Sequence, residues 1–511
     1  MTKITENAAS FFVDRHAEEG RGEKLAYIEA GIDRSLTFAQ LKAGAERVAG
    51  ALRRAGVRPE ERAAMLILDT LEFPQIFFGA LKAGVVPIPL NTLLVAPIYD
   101  AILRDSRARV LFVSAALYPA VAPVLQGNPY LQQVIVIDEP VAGATSLSDF
   151  LEGARPLGTQ PVSKDETAFW LYSSGSTGQP KGVPHVHGSM QATADTYGAH
   201  VLQLTEDDRV LSAAKLFFAY GLGNAMSFPL AVGATTVLFR NRPTPDAMLA
   251  TLETERITVF CGVPTLYAAM LATMADTGAP KAPLRRCISA GEALPADIGL
   301  RWEALTDVPI LDGVGSTEML HIFVSNRADD LEYGTSGIAV PGYTLRLVDD
   351  QGNDVPANTI GEMLVDGASS ATSYWNQREK SRSTFEGRWT RTGDKYERRP
   401  DGRYIYCGRT DDMFKVSGIW VSPFEVEQAL VSHPAVLEAA VVARKDGDGL
   451  DKPKAYVVLQ GMAEGDITEH LKAHVKSRIG QWKYPRWVEI VEDLPKTATG
   501  KIQRFKLRKA S

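Results

Sequence analysis

The sequence predicts an α/β protein made of a large N-terminal domain and a small α+β C-terminal domain. Strand and helix patterns alternate as far as Tyr343, which indicates βαβ units in a largely parallel sheet covered by helices. From Tyr343 onward, short strand patterns are separated by Gly, Asn and Pro, as in antiparallel β structure. We therefore expect an N-terminal domain over 1–409, a β-rich subdomain within it over 344–409, and a C-terminal domain over 410–511.

Hydrophobic periodicity supports the elements of the first part. Leu41, Ala45, Val48 and Leu52 share one face of a helix predicted over 38–57, and a second helix pattern covers 72–83. The strands predicted in this part are 63–68, 85–90, 108–114, 133–137, 168–172, 209–214, 235–239, 257–262, 285–291 and 309–315. Ligands of open α/β sheets bind beyond the carboxyl ends of the strands, so we expect function in the segments that follow them.

The later part is predicted from shorter patterns. The strands expected in the β-rich subdomain are 344–349, 362–366, 389–393 and 403–408. The C-terminal domain is expected to contain strands at 438–443, 455–459 and 486–491 and a helix over 468–479. Ser422-Pro423-Phe424-Glu425 predicts a helix start, because it combines a capping box with proline at the first helical position.

Composition excludes several classes of function. A net charge of −6 gives no reason to expect nucleic acid or acidic lipid as a partner. The three cysteines, Cys261, Cys287 and Cys407, are widely spaced and predict neither a disulfide framework nor structural zinc. The N-terminus has no signal-peptide pattern, and the apolar stretch 77–90 is too short and too interrupted to cross a membrane. We expect a soluble cytoplasmic protein.

The stretch Phe169–Gly182 predicts a polyphosphate-binding loop. An apolar strand runs into glycines and hydroxyls and ends in a lysine, so backbone N–H groups, hydroxyl donors and a positive charge are available to an anion. The residues concerned are Ser173, Ser174, Gly175, Ser176, Thr177, Gly178 and Lys181. The loop is not a Walker A motif, because Val183-Pro184 follows Lys181-Gly182 and argues against a helix there.

Five further short stretches, each containing glycine or hydroxyl residues together with charged residues, follow this loop along the chain. They are Ser289-Ala-Gly-Glu292, Asp312-Gly-Val-Gly-Ser-Thr-Glu318, Thr392-Gly-Asp394, Gly408-Arg-Thr-Asp411 and Lys496-Thr-Ala-Thr-Gly-Lys501. With them, nearly the whole chain resembles the adenylate-forming superfamily of acyl- and aryl-CoA synthetases, adenylation domains and luciferases. The segments starting at Lys215, Gly315, Asp411 and Pro495 resemble its benzoate–CoA ligase and hydroxybenzoate–CoA ligase branch more closely.

The resemblance implies a large N-terminal domain that binds nucleotide and aryl acid, and a small mobile lid. It implies an enzyme that joins benzoate or a hydroxybenzoate to AMP, with release of pyrophosphate, and then transfers the aroyl group to coenzyme A. ATP, Mg²⁺ and coenzyme A are the expected cofactors. The residues implied around the nucleotide, besides the loop, are Thr317 at the α-phosphate, Glu318 on Mg²⁺, Gly291, Glu292, Asp312 and Gly313 at the adenine, and Asp394 and Arg409 at the ribose.

The resemblance assigns the main catalytic cation to Lys501, in the C-terminal domain. The lid would rotate about Asp411 between the two half-reactions, and Gly418 would line the passage for the pantetheine arm. The acyl pocket is implied to contain Phe218, Ala219, Tyr220, Cys261, Ala290, Gly315, His321, Ile322 and Lys415. Alanine at 219 and Tyr220 leave a flat apolar slot suited to an aromatic ring. The small Cys261 suggests room for a ring substituent such as a hydroxyl.

Two alternatives remain open at this stage. One is a stand-alone aryl acid adenylation enzyme that loads a carrier protein, and the other is a non-catalytic protein that binds aryl acids or nucleotides. Two hypotheses about partners also remain: a homodimer, and a lysine acetyltransferase and deacetylase acting on Lys501, since acetylation removes the positive charge.

Overall fold

The computed structural model describes residues 6–174, 180–410, 412–416, 419–447, 449–461, 466–480, 483–496 and 502–509. It has the predicted α/β architecture. A parallel sheet and a largely parallel sheet, both with helices, form the first part, an antiparallel β region follows, and a small α+β unit lies at the C-terminal end. Within the described ranges, no helix combines the length and apolar character needed to cross a membrane.

The first sheet has five parallel strands. In spatial order they are Val86–Pro89, Arg62–Leu66, Val110–Ser114, Gln133–Ile137 and Thr145–Ser146. The helices of this part are Phe38–Arg54, Glu72–Lys82, Ala96–Ser106, Tyr118–Leu125 and Leu147–Leu151. Thr37 caps the first of these helices in a complete capping box with Gln40. Sequence periodicity located the four longer strands and the first two helices to within a few residues of their ends. The other three helices and the strand Thr145–Ser146 were not predicted.

The second sheet has nine strands, and six central ones are parallel. In spatial order the strands are Ile338–Ala339, Ile322–Ser325, Ile310–Gly315, Arg286–Ser289, Val259–Gly262, Arg209–Ser212, Thr235–Leu238, Leu25–Glu29 and Ser35–Thr37. Its helices include His187–Thr193, which continues as a π-helical segment Ala194–Leu202, and Ala219–Leu222, Phe228–Val232, Pro245–Thr254, Pro264–Thr277 and Ala296–Thr306. The N-terminal strand Leu25–Glu29 was not predicted, because its partner Thr235–Leu238 lies about two hundred residues away in sequence.

Alternate residues of each strand divide between separate cores. Met65 and Phe112 of the first sheet and Val259 and Ile288 of the second belong to the largest core, which lies between the two sheets. The opposite faces build two smaller cores. This layering fixes the relative position of the strand ends, where the sequence predicts the site.

The remaining elements are antiparallel or mixed. A hairpin of Thr167–Ser174 and Pro180–Val186 follows the last strand of the five-stranded sheet in sequence. The β-rich part contains Thr344–Val348, Ile360–Asp366, Phe385–Glu386, Trp389–Arg398 and Tyr404–Arg409, with the helix Arg378–Thr384. The C-terminal part contains strands Phe414–Val416, Ile419–Val421, Val436–Lys445, Asp451–Leu459 and Trp487–Ile490, and helices Pro423–Val431, Ile467–Ile479 and Arg504–Lys509. Ser422 accepts from the Glu425 N–H at the start of the first of these helices, as its sequence predicts.

Candidate active site

Four neighbouring parallel strands of the nine-stranded sheet end at one edge. They are Arg209–Ser212, Val259–Gly262, Arg286–Ser289 and Ile310–Gly315. Because they are parallel and adjacent, the segments that follow them converge, as the sequence predicts for a ligand site. One side chain links three of these segments: the Tyr220 hydroxyl donates to the Gly262 carbonyl at 3.1 Å and lies 3.3 Å from the Ile288 carbonyl.

The hairpin brings the two ends of the predicted phosphate loop together. Ser173 pairs with Lys181 and Ser174 with Pro180 across its two strands. The Ser173 hydroxyl is buried and has no hydrogen-bond partner among the described residues. A buried donor without a partner is costly, and a ligand oxygen would satisfy it.

A tight turn after Ile310–Gly315 presents Thr317 and Glu318. The Ser316 hydroxyl accepts from the Met319 N–H, and Leu320 has a left-handed backbone with a φ of 67°. That conformation is unusual for a bulky side chain and costs about 1–3 kcal/mol, so the surrounding contacts must enforce it.

His185 ties this turn to the hairpin. Its Nε2 donates to the Thr317 carbonyl at 2.9 Å. Burial lowers the pKa of His185 to about 4, because the charged ring would lose its hydration. The imidazole is therefore neutral at pH 7, and it fixes the backbone of Thr317 without adding charge beside the loop.

The segment Ala371–Trp375 joins the hairpin to Glu318, and sequence reasoning assigned it no role. The Trp375 N–H donates to the Gly182 carbonyl at 2.9 Å, and the Ala371 N–H donates to the Glu318 carbonyl at 2.8 Å. The Tyr374 hydroxyl donates to Glu318 Oε1 at 2.7 Å. Burial and the neighbouring Glu318 raise the pKa of Tyr374, so its hydroxyl remains a donor at neutral pH. In the sequence, the adjacent aromatic residues of the run Ser373-Tyr-Trp-Asn376 were the feature that could have drawn attention to this segment.

The residues predicted at the adenine lie on two adjacent strand ends. Gly291 has a φ of 96°, which glycine adopts without strain. Asp312 is buried, and its Oδ1 has no hydrogen-bond partner among the described residues. Burial raises the pKa of Asp312 well above its ordinary value. Gly313 is also buried, and a Cβ there would come within 2.8 Å of Ile322, so close packing accounts for this glycine.

Asp394 and Arg409 face each other across two strands of the β-rich part. The Arg409 guanidinium donates to Asp394 Oδ1 at 3.1 Å and to the Thr392 carbonyl at 3.2 Å. A Cβ at Gly393 would lie 3.0 Å from this guanidinium. The two residues predicted at the ribose are therefore neighbours in the fold.

Two of the predicted acyl residues, Tyr220 and His321, lie in a largely buried aromatic wall. The His321 ring lies 4.9 Å from Tyr197, 5.8 Å from Tyr220 and 4.6 Å from Phe228, measured between ring centroids. Burial lowers the pKa of His321 to about 3, so the ring is neutral. Tyr197 and Phe228 were not assigned by sequence reasoning.

Cys261 lies in the same core as this wall. It is fully buried, whereas Cys287 on the neighbouring strand belongs to the core on the opposite face of the sheet. Ala290 is also buried, and Phe218 and Ala219 are partly buried at the start of the helix Ala219–Leu222. Gly315 is exposed, and a Cβ there would come within 2.5 Å of the His321 carbonyl, so backbone proximity explains this glycine.

Several predicted residues lie outside the described part of the chain. They are Gly175, Ser176, Thr177, Gly178, Asp411, Gly418 and Lys501, and the side chains of Ser174 and Lys415 are not described either. Next to two of them, Arg504 donates to Glu427 at 2.6 Å and lies 3.6 Å from Asp412. These contacts link the segment after Lys501 to the segment after Asp411.

The residues present fit a divalent cation shared with a nucleotide. Among the described residues, no group of three His, Cys, Asp or Glu side chains could hold a metal alone. Mg²⁺ in nucleotide sites is usually bound by one or two carboxylates together with substrate phosphates. Glu318 would be such a carboxylate, and the Tyr374 bond engages one of its two oxygens.

Two family profiles match most of this chain. The sequence profile of the AMP-binding enzyme family matches residues 13–375, and that of the AMP-binding enzyme C-terminal domain matches residues 425–501. The chain belongs to the AMP-binding enzyme family.

Individual relatives show to which branch of this family the chain belongs. A 4-hydroxybenzoate–CoA/benzoate–CoA ligase of Rhodopseudomonas palustris is 52% identical over 98% of this chain and 94% of the relative. The crystal structure of a benzoate CoA ligase from Burkholderia xenovorans LB400 is 49% identical, with a TM-score of 0.91, over 99% of this chain and 100% of that one. An anthranilate CoA ligase, AuaEII, crystallised with anthranoyl-AMP, is 43% identical, with a TM-score of 0.95, over 99% and 97%. Within the family, this chain lies in the benzoate–CoA ligase branch.

Proposed function

We propose that the protein is an ATP-dependent, AMP-forming aryl-CoA ligase. The observation that carries the proposal is the meeting of two surfaces at one sheet edge. Ser173, Lys181 and the Thr317–Glu318 turn form a polar surface suited to a polyphosphate, and Tyr220 and His321 form an aromatic surface beside it. An aryl carboxylate and a nucleotide would therefore be held next to each other.

In the first half-reaction, the carboxylate attacks the α-phosphorus of ATP and pyrophosphate leaves. The carboxylate is ionised at neutral pH, so no general base is required, and catalysis consists of positioning and charge neutralisation. The residues proposed to bind the β- and γ-phosphates are Ser173, Ser174, Gly175, Ser176, Thr177, Gly178 and Lys181. Thr317 would donate to the α-phosphate, and Lys501 would neutralise the oxygens between the two reactants. Mg²⁺, held by Glu318, would supply further positive charge at the phosphates.

The remaining nucleotide contacts are proposed from the same surfaces. Gly291, Glu292, Asp312 and Gly313 would surround the adenine, where the Asp312 oxygen without a partner is suited to accept a hydrogen bond. Asp394 would accept from the ribose hydroxyls, with Arg409 beside it.

In the second half-reaction, the sulfur of coenzyme A forms a bond to the aroyl carbon, and the bond from that carbon to AMP breaks. We propose that the C-terminal domain, residues 410–511, rotates about Asp411 between the two steps and that Gly418 then lines the pantetheine passage. Asp411→Pro should impair one half-reaction at least tenfold more than the other. Adenylate formation and thioester formation from supplied adenylate are measured separately. Equal losses would contradict a hinge at this position.

Pyrophosphate exchange tests the proposal directly. Exchange of labelled pyrophosphate into ATP should depend on an aryl acid, and AMP release should then depend on coenzyme A. Lys501→Ala should lower the exchange rate by about 10²–10³-fold, as loss of a main electrostatic stabiliser does. Exchange that is absent in the wild-type protein would indicate a non-catalytic binder, and unchanged exchange in the variant would remove Lys501 from catalysis.

For the acid, we propose benzoate or a hydroxybenzoate. Phe218, Ala219, Tyr220, Ala290, Gly315, His321 and Ile322 are proposed to form the ring pocket, and Lys415 to meet the carboxylate. Cys261 is buried in the core that contains the aromatic wall. We propose that its small side chain leaves room in the pocket that a larger residue would fill. A hydroxyl on the ring is the substituent we expect this room to accept.

Three further points belong to the proposal. We place the enzyme in the cytoplasm, and a homodimer and acetylation of Lys501 remain hypotheses. Sedimentation of the purified protein tests the dimer. Full activity in a stoichiometrically acetylated sample would contradict control through Lys501.

Loading of a carrier protein is the alternative acceptor reaction. AMP release that does not respond to coenzyme A but requires a carrier protein would establish it.

A further inference from the structure

Tyr374 contacts both charged groups that the proposed reaction needs on the nucleotide side. Its hydroxyl donates to Glu318 Oε1 at 2.7 Å, and Lys181 Nζ lies 4.7 Å from the centroid of its ring. Lys181 and Glu318 are 137 positions apart in sequence (318 − 181) and lie on separate elements, the hairpin and the turn after Ile310–Gly315. One side chain from a third element therefore lies between them.

The backbone around Tyr374 is fixed on both sides. The Tyr374 N–H donates to the Ser381 hydroxyl at 2.9 Å, and Ser381 belongs to the helix Arg378–Thr384. The Tyr374 ring lies 5.2 Å from that of Phe385. Neighbouring residues of the same segment bond the backbones of Gly182 and Glu318 through the N–H groups of Trp375 and Ala371. The hydroxyl is therefore delivered to Glu318 from a rigid position.

We propose that Tyr374 is a positioning residue that orients the Glu318 carboxylate to receive the divalent cation of bound ATP; this role rests on the proposed function. A glutamate side chain has three rotatable bonds, and a single strong hydrogen bond from a fixed donor selects one orientation. The bond occupies one carboxylate oxygen and leaves lone pairs for a metal. The tyrosine acts through Glu318 and touches neither the acid nor coenzyme A in this scheme.

Tyr374→Phe is the informative variant. It removes only the hydroxyl and retains the ring beside Lys181 and Phe385. Calorimetric titration with ATP, in the presence of Mg²⁺ and in the presence of EDTA, needs no aryl acid and no turnover. We expect the Mg²⁺-dependent gain in ATP affinity to fall about 5–10-fold in the variant, with affinity in EDTA changed less than twofold. In the same variant, the Mg²⁺ concentration that gives half-maximal pyrophosphate exchange should rise by a similar factor.

Tyr333→Phe is the matched control, because the Tyr333 hydroxyl also donates to a glutamate, Glu303 Oε2 at 3.0 Å, and Glu303 lies on the helix Ala296–Thr306. It should leave the Mg²⁺-dependent gain unchanged. Glu318→Gln should remove the gain, and Tyr374→Phe added to Glu318→Gln should then have no further effect on it.

Three results would overturn the proposal. They are an unchanged gain in Tyr374→Phe, an equal loss of affinity with Mg²⁺ and with EDTA, and an unchanged gain in Glu318→Gln. Failure of the proposed function is distinguishable, because it would abolish aryl acid-dependent pyrophosphate exchange in the wild-type protein while leaving the ATP titration readable.

Discussion

The proposed nucleotide side and the proposed acyl side of the site are built in different ways. On the nucleotide side, hydrogen bonds to backbone carbonyls join distant elements, as His185 does to Thr317 and Trp375 to Gly182. On the acyl side, aromatic rings pack around His321, and the thiol of Cys261 is fully buried. The first arrangement would orient polar groups toward the charged phosphates, and the second would define the shape of the pocket for the acid. Substitutions on the two sides should therefore change different properties: rate and nucleotide affinity on the first, choice of acid on the second.

Glu318→Gln should give the largest difference between the loss of rate and the change in affinity for the aryl acid. Replacing the carboxylate by a neutral amide removes a hard anionic ligand, so adenylate formation should fall about 100-fold or more. Binding of the aryl acid, measured by calorimetry without nucleotide, should change less than twofold. Glu303→Gln is the control, since Glu303 also accepts a tyrosine hydroxyl. Parallel losses of rate and acid affinity in Glu318→Gln would remove the distinction between the two sides.

On the acyl side, Cys261→Tyr should change the ranking of acids. A larger side chain would fill the space proposed for a ring substituent, so the ratio of kcat/KM for 4-hydroxybenzoate to that for benzoate should fall about tenfold. The Mg²⁺ dependence should not change. Cys287→Ala is the control, because Cys287 lies on the adjacent strand but faces the other core. The same ranking of benzoate and 3- and 4-hydroxybenzoate in wild type and Cys261→Tyr would refute a role for Cys261 in selectivity.

The smallest effect concerns stability below neutral pH. His185 has a pKa of about 4 when folded and an ordinary value of 6.5, so between these values the unfolded chain binds more protons. The contribution of the neutral, buried ring to the free energy of unfolding is complete above pH 6.5 and is lost as the pH falls toward 4. At pH 5.5 the loss is about 1 kcal/mol. Urea unfolding of His185→Gln at pH 7.5 and 5.5 should show a smaller decrease than the wild type. The exposed His200→Gln should show the wild-type decrease, and an equal decrease in His185→Gln would contradict this assignment.

Local patterns were sufficient for much of the fold. The helix Phe38–Arg54 and the strand Gln133–Ile137 were predicted closely, because amphipathic spacing and continuous β-branched runs report burial directly. The prediction that no helix follows Lys181-Gly182 is confirmed, since Pro180–Val186 is a strand. The pairing of Leu25–Glu29 with Thr235–Leu238 was missed, because neither strand carries information about its distant partner.

The sequence alone predicted the position of most strands along the chain, a ligand site beyond their carboxyl ends and an anion-binding segment from Ser173 to Lys181. These follow from hydrophobic spacing and from the need of an anion for small residues and donors. Only the tertiary structure decided that Tyr374 meets Glu318 and that Cys261, unlike Cys287, faces the core of the aromatic wall. The reason is that such contacts depend on how separate elements pack against one another, and no local pattern encodes that packing.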